Sequence, residues 1–241
     1  MIEIKTLASG STGNAYHVTD GVSSVLLDAG IPIRAIQVAL GHRLSLTSGA
    51  LITHHHGDHA KAAADLARIG IDIYISKGEA EAAKLNGHRV KHVKALQTFK
   101  CGGFSVTPFD LQHDTPEPLG FLIVSEATGE KLLYFTDTFY LKYTFKGITH
   151  ILGECNHSRE IIERNVMNGD LAPELAARII KSHMCLERFE DFLKESDISK
   201  LQSIHLVHVS EGNGDPVLFA ERISKLTTAT VRVEMGGGSH G

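Results

Sequence analysis

Hydrophobic and polar positions along this chain switch period repeatedly, and the switches mark strands alternating with helices. Ile2 to Leu7 alternates apolar and polar residues. Ala15 to Thr19 and Ser23 to Leu27 form the next two apolar runs, joined through Asp20-Gly21, and predict a hairpin. Gly49 to Ile52, Ile71 to Ile75, Val90 to Leu96 and Phe104 to Leu111 also read as strands. Helical spacing covers Ile31 to Leu40, with Pro32 near its start, then the alanine-rich run Ala60 to Ile69, and Lys77 to Leu85 ahead of Asn86-Gly87. Further on, Gly120 to Ser125 and Lys131 to Phe135 predict a hairpin around Ala127-Thr128-Gly129. Strands follow at Ile148 to Leu152, Ser203 to Val207 and Ala229 to Val233. Helices follow at Arg159 to Val166, Pro173 to Ile180, Leu186 to about Lys194, and Pro216 to Leu226. Hairpins mixed with crossovers imply a layered α/β fold rather than an all-parallel sheet.

The loop between the strand at Gly49–Ile52 and the helix at Ala60 reads Thr53-His54-His55-His56-Gly57-Asp58-His59. In extended chain, alternate side chains face the same way, so His54 and His56 can hold one ion together. Where the chain turns, Asp58 and His59 can face a second ion. Neutral imidazole suits Zn, Mn or Fe, and the carboxylate suits the harder of these. An expression tag does not fit, because the run is internal and interrupted. A solvated His-rich loop is the bland alternative, and two-metal chemistry is the favoured reading.

Composition narrows the class. A chain of 241 residues with 42% hydrophobic content suits one large domain over 1–235, and the Gly-rich 236–241 reads as a flexible tail, so His240 is set aside. No apolar stretch approaches a membrane span, and Met1 to Lys5 lacks the charged and apolar regions of a signal peptide, so secretion is not expected. Cys101, Cys155 and Cys185 are odd in number and form no CxxC, which fits reduced thiols in a cytoplasm. A formal charge of −4 does not advertise nucleic-acid binding, but bound cations would add positive charge locally.

Other positions gain meaning beside the cluster. Asp28 and Asp137 each follow a buried apolar strand, where a carboxylate is costly without partners. Asp28 either caps a loop or orients a metal-binding histidine from behind, and the second role is favoured here. Asp137 either caps or bridges two ions, with bridging favoured. His113 follows a strand and would complete an N₃ set with His54 and His56, leaving the open position a catalytic site needs. The loop Ala8-Ser9-Gly10-Ser11-Thr12-Gly13-Asn14 is either turn chemistry or a source of amides and hydroxyls for a substrate.

Together these residues resemble the metallo-β-lactamase-fold hydrolases over almost the whole chain. Asp28, His54-x-His56-x-Asp58-His59, His113, Asp137 and His208 match the family's five motifs in order. The resemblance implies an αββα sandwich with two divalent ions, Zn, Mn or Fe. His54, His56 and His113 would hold one, Asp58, His59 and His208 the other, with Asp137 bridging. Within the superfamily the chain is similar to the YycJ/WalJ-type branch, through Leu7 to Asn14, His113-Asp114, Pro118 to Phe121, Glu154-Cys155-Asn156-His157, Ser182-His183 and His208 to Asn213. It departs at Met184-Cys185-Leu186 and at Gly214, on the rim of the cleft. That branch implies a nuclease, specifically a 5′-to-3′ DNA exonuclease.

Phosphodiester hydrolysis fits on chemical grounds, because a hydroxide shared by two cations is available near neutral pH and attacks phosphorus in line. Asp58 is thus catalytic as well as a ligand. His183 and His157 are candidates for protonating the leaving oxygen or gripping phosphate; surface helix termini are the plainer alternative. Ser9, Ser11, Thr12 and Asn14 could meet backbone phosphates. Arg159, Arg164 and Lys181 could form a basic rim, although solvated helix faces explain them better. A thioesterase of the glyoxalase II type, a hydrolase of small phosphodiesters, and a metal-dependent nucleic-acid-binding subunit stand as alternatives. A two-zinc β-lactamase would carry Cys in place of Asp137, and an oxygen-reducing diiron protein would replace a histidine of the cluster by Glu.

Overall fold

Ser24-Val25-Leu26-Leu27 is buried at every position, so it carries apolar side chains in succession rather than on alternate residues. It is the third strand of a six-stranded sheet in the computed structural model, which describes residues 1–235; the expected tail lies outside the described residues. The sheet runs in chain order: β1 Glu3–Ala8, β2 Ala15–Thr19, β3 Ser24–Leu27, β4 Ala50–Leu51, β5 Ile73–Ser76 and β6 Val90–Val93. β1–β2 and β2–β3 pair antiparallel, the second being the expected hairpin, and the remaining pairs are parallel.

These strands belong to the first of two compact units, Met1–Asp110 with Thr115–Lys131. Its helices are α1 Ile33–Ala39, α2 Gly57–Ala60, α3 Ala63–Arg68 and α4 Lys77–Ala82. Leu26, Ala50, Ile73 and Ile75 from the sheet share one core with Ile36, Leu66 and Ala80 from the helices. Each fully buried Leu or Ile there contributes about 1.5–3 kcal/mol. The same unit holds an antiparallel trio, β7 Phe99–Cys101, β8 Phe104–Asp110 and β9 Leu119–Ser125.

Two elements differ from the sequence reading. The helix expected over Ala60 to Ile69 begins at Gly57 and breaks before Ala63. Backbone bonds explain the break, since Ala29 N donates to His59 O at 2.7 Å and Ala62 N donates to Ala29 O at 2.8 Å, pinning the chain to the strand-end loop. The strand expected to reach Leu96 stops at Val93, and Leu96 takes φ 63° with its N–H bonded to Pro108 O. β7 is too short to show a period in sequence.

The second unit is Leu111–Asp114 with Leu132–Met235. Four strands pair in parallel there: β10 Lys131–Phe135, β11 His150–Glu154, β12 Ser203–Val207 and β13 Thr230–Val233. Helices α5 Arg159–Met167, α6 Pro173–Ser182, α7 Leu186–Glu195 and α8 Pro216–Ser224 connect or follow them. Phe135 meets Phe189 and Phe192 of α7 at ring separations of 5.9 and 5.8 Å. Its strand partner has to be Gly153, where a Cβ would lie 2.4 Å from the Phe135 ring. Parallel pairing sends the carboxyl ends of these strands in one direction, which is where ligand-binding residues gather in such sheets. Among the described residues, no helix is long and apolar enough to cross a membrane.

Two glycines next to the His-rich loop have opposite requirements. A Cβ on Gly30 would stand 1.7 Å from Asp58 O, whereas one on Gly57 meets nothing within 4 Å. Gly30→Ala should therefore destabilise the fold by at least about 3 kcal/mol, while Gly57→Ala stays within about 0.5 kcal/mol. Urea unfolding of both variants checks this, and equal midpoints would contradict it.

Candidate metal centre

In the first unit the His-rich loop leaves β4 and enters α2, and Asp28, just past β3, organises it. Asp28 is fully buried and has φ 54°, in the left-handed region. Its Oδ1 accepts from Thr53 N at 2.8 Å, Thr53 Oγ1 lies 3.0 Å from its Oδ2, and His59 Nδ1 lies 2.7 Å from the same oxygen. A carboxylate only accepts, so His59 holds its proton on Nδ1 and presents Nε2 as a lone pair. Thr53 passes the pattern on. Its hydroxyl donates to Asp28, so it accepts from His54 Nδ1 at 3.0 Å and leaves His54 Nε2 as the second donor atom. That nitrogen lies 3.1 Å from His56 Nδ1, and the His54 and His59 rings are 4.3 Å apart. Asp58 Oδ2 lies 3.5 Å from His59 Nε2. The loop thus gathers three imidazoles and a carboxylate, a donor set that fits a divalent transition metal.

Asn14 and Ser9 are internal to this arrangement. Asn14 is fully buried; its Nδ2 donates to Gly10 O at 3.0 Å and lies 3.1 Å from His59 Nε2. The Tyr16 hydroxyl lies 3.0 Å from Asn14 Oδ1 and 3.1 Å from Ser9 Oγ. Ser11 and Thr12, by contrast, are exposed at the loop tip. Sequence reasoning missed Glu79, a fully buried carboxylate that accepts from His55 N at 2.9 Å and from Glu117 N at 2.9 Å, with His55 Nδ1 at 2.5 Å. Burial pushes its pKa up, but the Glu117 amide and His55 outweigh this and hold it low. In sequence it looks like any charged residue of a short helix.

In the second unit, Asp137, Glu154 and His208 stand at the carboxyl ends of the adjacent strands β10, β11 and β12. Asp137 and His208 leave through left-handed backbone, φ 48° and 54°. His183 joins them from the end of α6. Ligand atoms of Asp137, Glu154, His183 and His208 all lie within 4.8 Å of one another, so this group too could hold a metal ion. Glu154 is the hub. Its Oε1 lies 2.7 Å from His183 Nδ1 and 2.9 Å from His208 Nδ1, while Oε2 accepts from Thr138 N and Met184 N. Asp137 Oδ1 lies 3.0 Å from His208 Nδ1 and 3.4 Å from His183 Nδ1.

In the sequence Glu154 stands out only within the branch resemblance and has no chemical role, although it too is a carboxylate closing an apolar strand, like Asp28 and Asp137. Burial raises its pKa, but His183 and His208 outweigh that and hold it low. Burial likewise works against charge on both histidines, and the carboxylates overcome it. His183 is raised to about 10, with Glu154 the main cause, and His208 to about 9, with Asp137 the main cause. His113 is half-buried, with Nε2 3.2 Å from Asp114 Oδ1 and its ring 6.3 Å from that of His183. His157 is buried, and among the described residues neither ring nitrogen has a hydrogen-bond partner. Burial lowers its pKa to about 4.

A family model for the beta-lactamase superfamily domain matches residues 23–205. The chain is similar to Exodeoxyribonuclease YycJ of Bacillus anthracis, 26% identical over 98% of this chain and 91% of the relative. It is also similar to Exodeoxyribonuclease WalJ of Streptococcus pneumoniae, 27% identical over 86% of this chain and 81% of the relative. Among solved structures, the metallo-beta-lactamase fold protein YhfI from Bacillus subtilis superposes with a TM-score of 0.74 at 16% identity, covering 98% of each chain. The short form of human tRNase Z superposes with a TM-score of 0.62 at 16% identity, covering 98% of this chain and 96% of the other. Such identities speak for the fold, and the fold is the metallo-β-lactamase fold.

Two measurements probe these groups. Asp28→Asn offers His59 an amide in place of a charged acceptor and should weaken zinc affinity about 10–100-fold in a chelator competition. Unchanged affinity would contradict the proton pattern above. Alkaline unfolding tests the Glu154 hub. His183 and His208 have folded values of about 10 and about 9 against an ordinary 6.5, so each stabilises the fold fully below 6.5 and loses that contribution as pH rises through its folded value. In chelator, stability should fall from about pH 6.5 to about pH 10, and Glu154→Gln should flatten the fall. Identical slopes for the two proteins would contradict it.

Proposed function

The chain belongs to the beta-lactamase superfamily and is a metal-dependent hydrolase, and we propose that it cleaves phosphodiesters, removing nucleotides from the 5′ end of DNA. The observation that carries this reading is the His183–Glu154 pair beside Asp137 and His208. An alkoxide leaving from phosphorus is about as basic as hydroxide and departs only with a proton or a strong cation beside it. A thiolate, whose acid has a pKa near about 8.5, leaves a thioester without such help. His183, kept protonated by Glu154 and Asp137, is the group able to give that proton. His157, with a pKa of about 4, is neutral at pH 7 and has no readily available proton to supply. The names of the two bacterial relatives, both exodeoxyribonucleases, favour the same bond and favour DNA.

The proposed ligands for two divalent ions, Zn, Mn or Fe, are His54, His56, Asp58, His59, His113, Asp137 and His208. When bound, the ions supply Lewis acidity that activates water near neutral pH and neutralises charge on the phosphoryl oxygens. Asp28 fixes which nitrogen His59 offers and, through Thr53, which one His54 offers. Ser11 and Thr12, exposed at their loop tip, are the proposed contacts to backbone phosphates, while Ser9 and Asn14 brace the loop from inside. This reading has the enzyme at work in the cytoplasm, where its three buried cysteines stay as thiols.

Digestion of end-labelled single- and double-stranded DNA and RNA, with Mn²⁺ or Zn²⁺ and with chelator, tests the reading. The expected outcome is metal-dependent release of mononucleotides from the 5′ end of DNA. Asp58→Ala should reduce the rate at least about 10³-fold. Folded, metal-loaded protein that cuts no nucleic acid but hydrolyses a thioester would replace this reading with its rival.

A further inference from the structure

Directly after Asp137 the chain reads Thr138-Phe139-Tyr140-Leu141-Lys142-Tyr143-Thr144-Phe145, a dense aromatic segment in a chain that is 6% aromatic overall. It falls in the connection between β10 and β11 and forms neither helix nor strand. Phe145 packs edge-on to the buried Phe192 at 6.3 Å and anchors the segment. The other aromatics are held near the surface instead. Tyr140 is 38% exposed, and Phe139 and Tyr143 are half-buried. With Lys142 and Arg188 they line a cavity of about 390 Å³ that Asp191 and Glu195 of α7 also line.

Arg188 braces the segment. Arg188 places its guanidinium 5.0 Å from the Phe139 ring centroid and donates to Phe139 O at 2.8 Å. Phe139 in turn meets the Tyr140 ring at 4.8 Å, with 58° between the planes. Lys142 stands 5.1 Å from the Tyr143 ring. Keeping aromatic surface in water is unfavourable for folding alone, and here the rings are fixed in place rather than tucked away. Cations interleaved with aromatic faces are the combination on which single-stranded nucleic acid stacks its bases. Asp191 and Glu195 refine the assignment, because they repel phosphates while accepting hydrogen bonds from the amino groups of bases. A base, not backbone, suits this cavity.

Position links the cavity to the chemistry. Consecutive Cα atoms are about 3.8 Å apart, so Tyr140 Cα lies within about 11 Å of Asp137 Cα. We propose that Phe139, Tyr140 and Tyr143 form a shelf that stacks a nucleobase of the strand being cut, next to the phosphate handled at Asp137. The shelf deepens the nuclease reading and rests on it.

The test compares steady-state kinetics of the metal-loaded enzyme on a single-stranded oligodeoxynucleotide and on the same strand made abasic over its first nucleotides. Wild type should show a KM about 10-fold higher on the abasic strand, with kcat changed much less. Tyr140→Ala should raise KM on the normal strand to a similar degree and abolish the difference between strands. Tyr140→Trp should restore it. Equal KM values for the two strands with wild type, or full discrimination by Tyr140→Ala, would overturn the shelf while leaving the nuclease reading in place. Failure of wild type to cut any nucleic acid would overturn both.

Discussion

A carboxylate removed from water must be matched by donors or it destabilises the fold by several kcal/mol, and the first unit is built around one such match. Asp28 has no exposed surface and is satisfied by Thr53 and His59, residues on either side of the His-rich turn. One acceptor therefore fixes the height of the loop above the sheet, the ring plane of His59 and, through Thr53, the proton on His54. Gly30 is bare for the same reason, since the backbone of Asp58 passes too close for a side chain there. Glu79 closes the loop from the other side, taking both the amide and the ring of His55, the residue between the two paired imidazoles. Both carboxylates face inward and are filled with protein donors, which keeps the outward nitrogens as lone pairs.

The second unit solves its charge problem differently. Parallel strands bring Asp137, Glu154 and His208 to neighbouring strand ends, where two carboxylates side by side would repel one another. His183 and His208 sit between them, and in the metal-free protein these contacts raise the pKa of both imidazoles, so each carboxylate oxygen faces a ring nitrogen rather than the other carboxylate alone. Left-handed backbone at Asp137 and His208 bends each chain just past the end of its strand and costs of the order of 1 kcal/mol apiece. Asp28 shares that conformation, so the same local bend recurs at each of these three strand ends bearing a chemical group.

Much of this was legible in the sequence, and the reasons differ by element. Long strands and helices announced themselves by period, as β8, β9 and α7 did. β7, with three residues, could not. The His-rich loop was conspicuous because spacing alone implies convergence. The break between α2 and α3 was invisible, being set by bonds from Ala29, a residue far away in sequence. Glu154 shows the limit most clearly. It carried the same signal as Asp28 and Asp137, a carboxylate closing a buried strand, yet its importance depends on two histidines that only the fold brings to it. Asn14 shows the converse, because a polar residue in a Gly-rich loop looks available to a ligand until its amide is found against His59.

In the proposed reading, the leaving group ties these features to one chemistry. The seven proposed ligands would serve any hydrolysis that begins with an activated water, so they do not separate phosphodiesters from thioesters. What separates them is the far end of the reaction, where an alkoxide needs a proton or a strong cation beside it and a thiolate does not. A chain adapted to thioesters gains nothing from a buried glutamate that holds an imidazole protonated next to its ligands. Here that glutamate also accepts the Thr138 and Met184 amides, so the acid is fixed to the loop after β10 and to the segment following α6. In the proposed reading the proton donor is thereby positioned by the backbone, which is the degree of order that a poor leaving group demands.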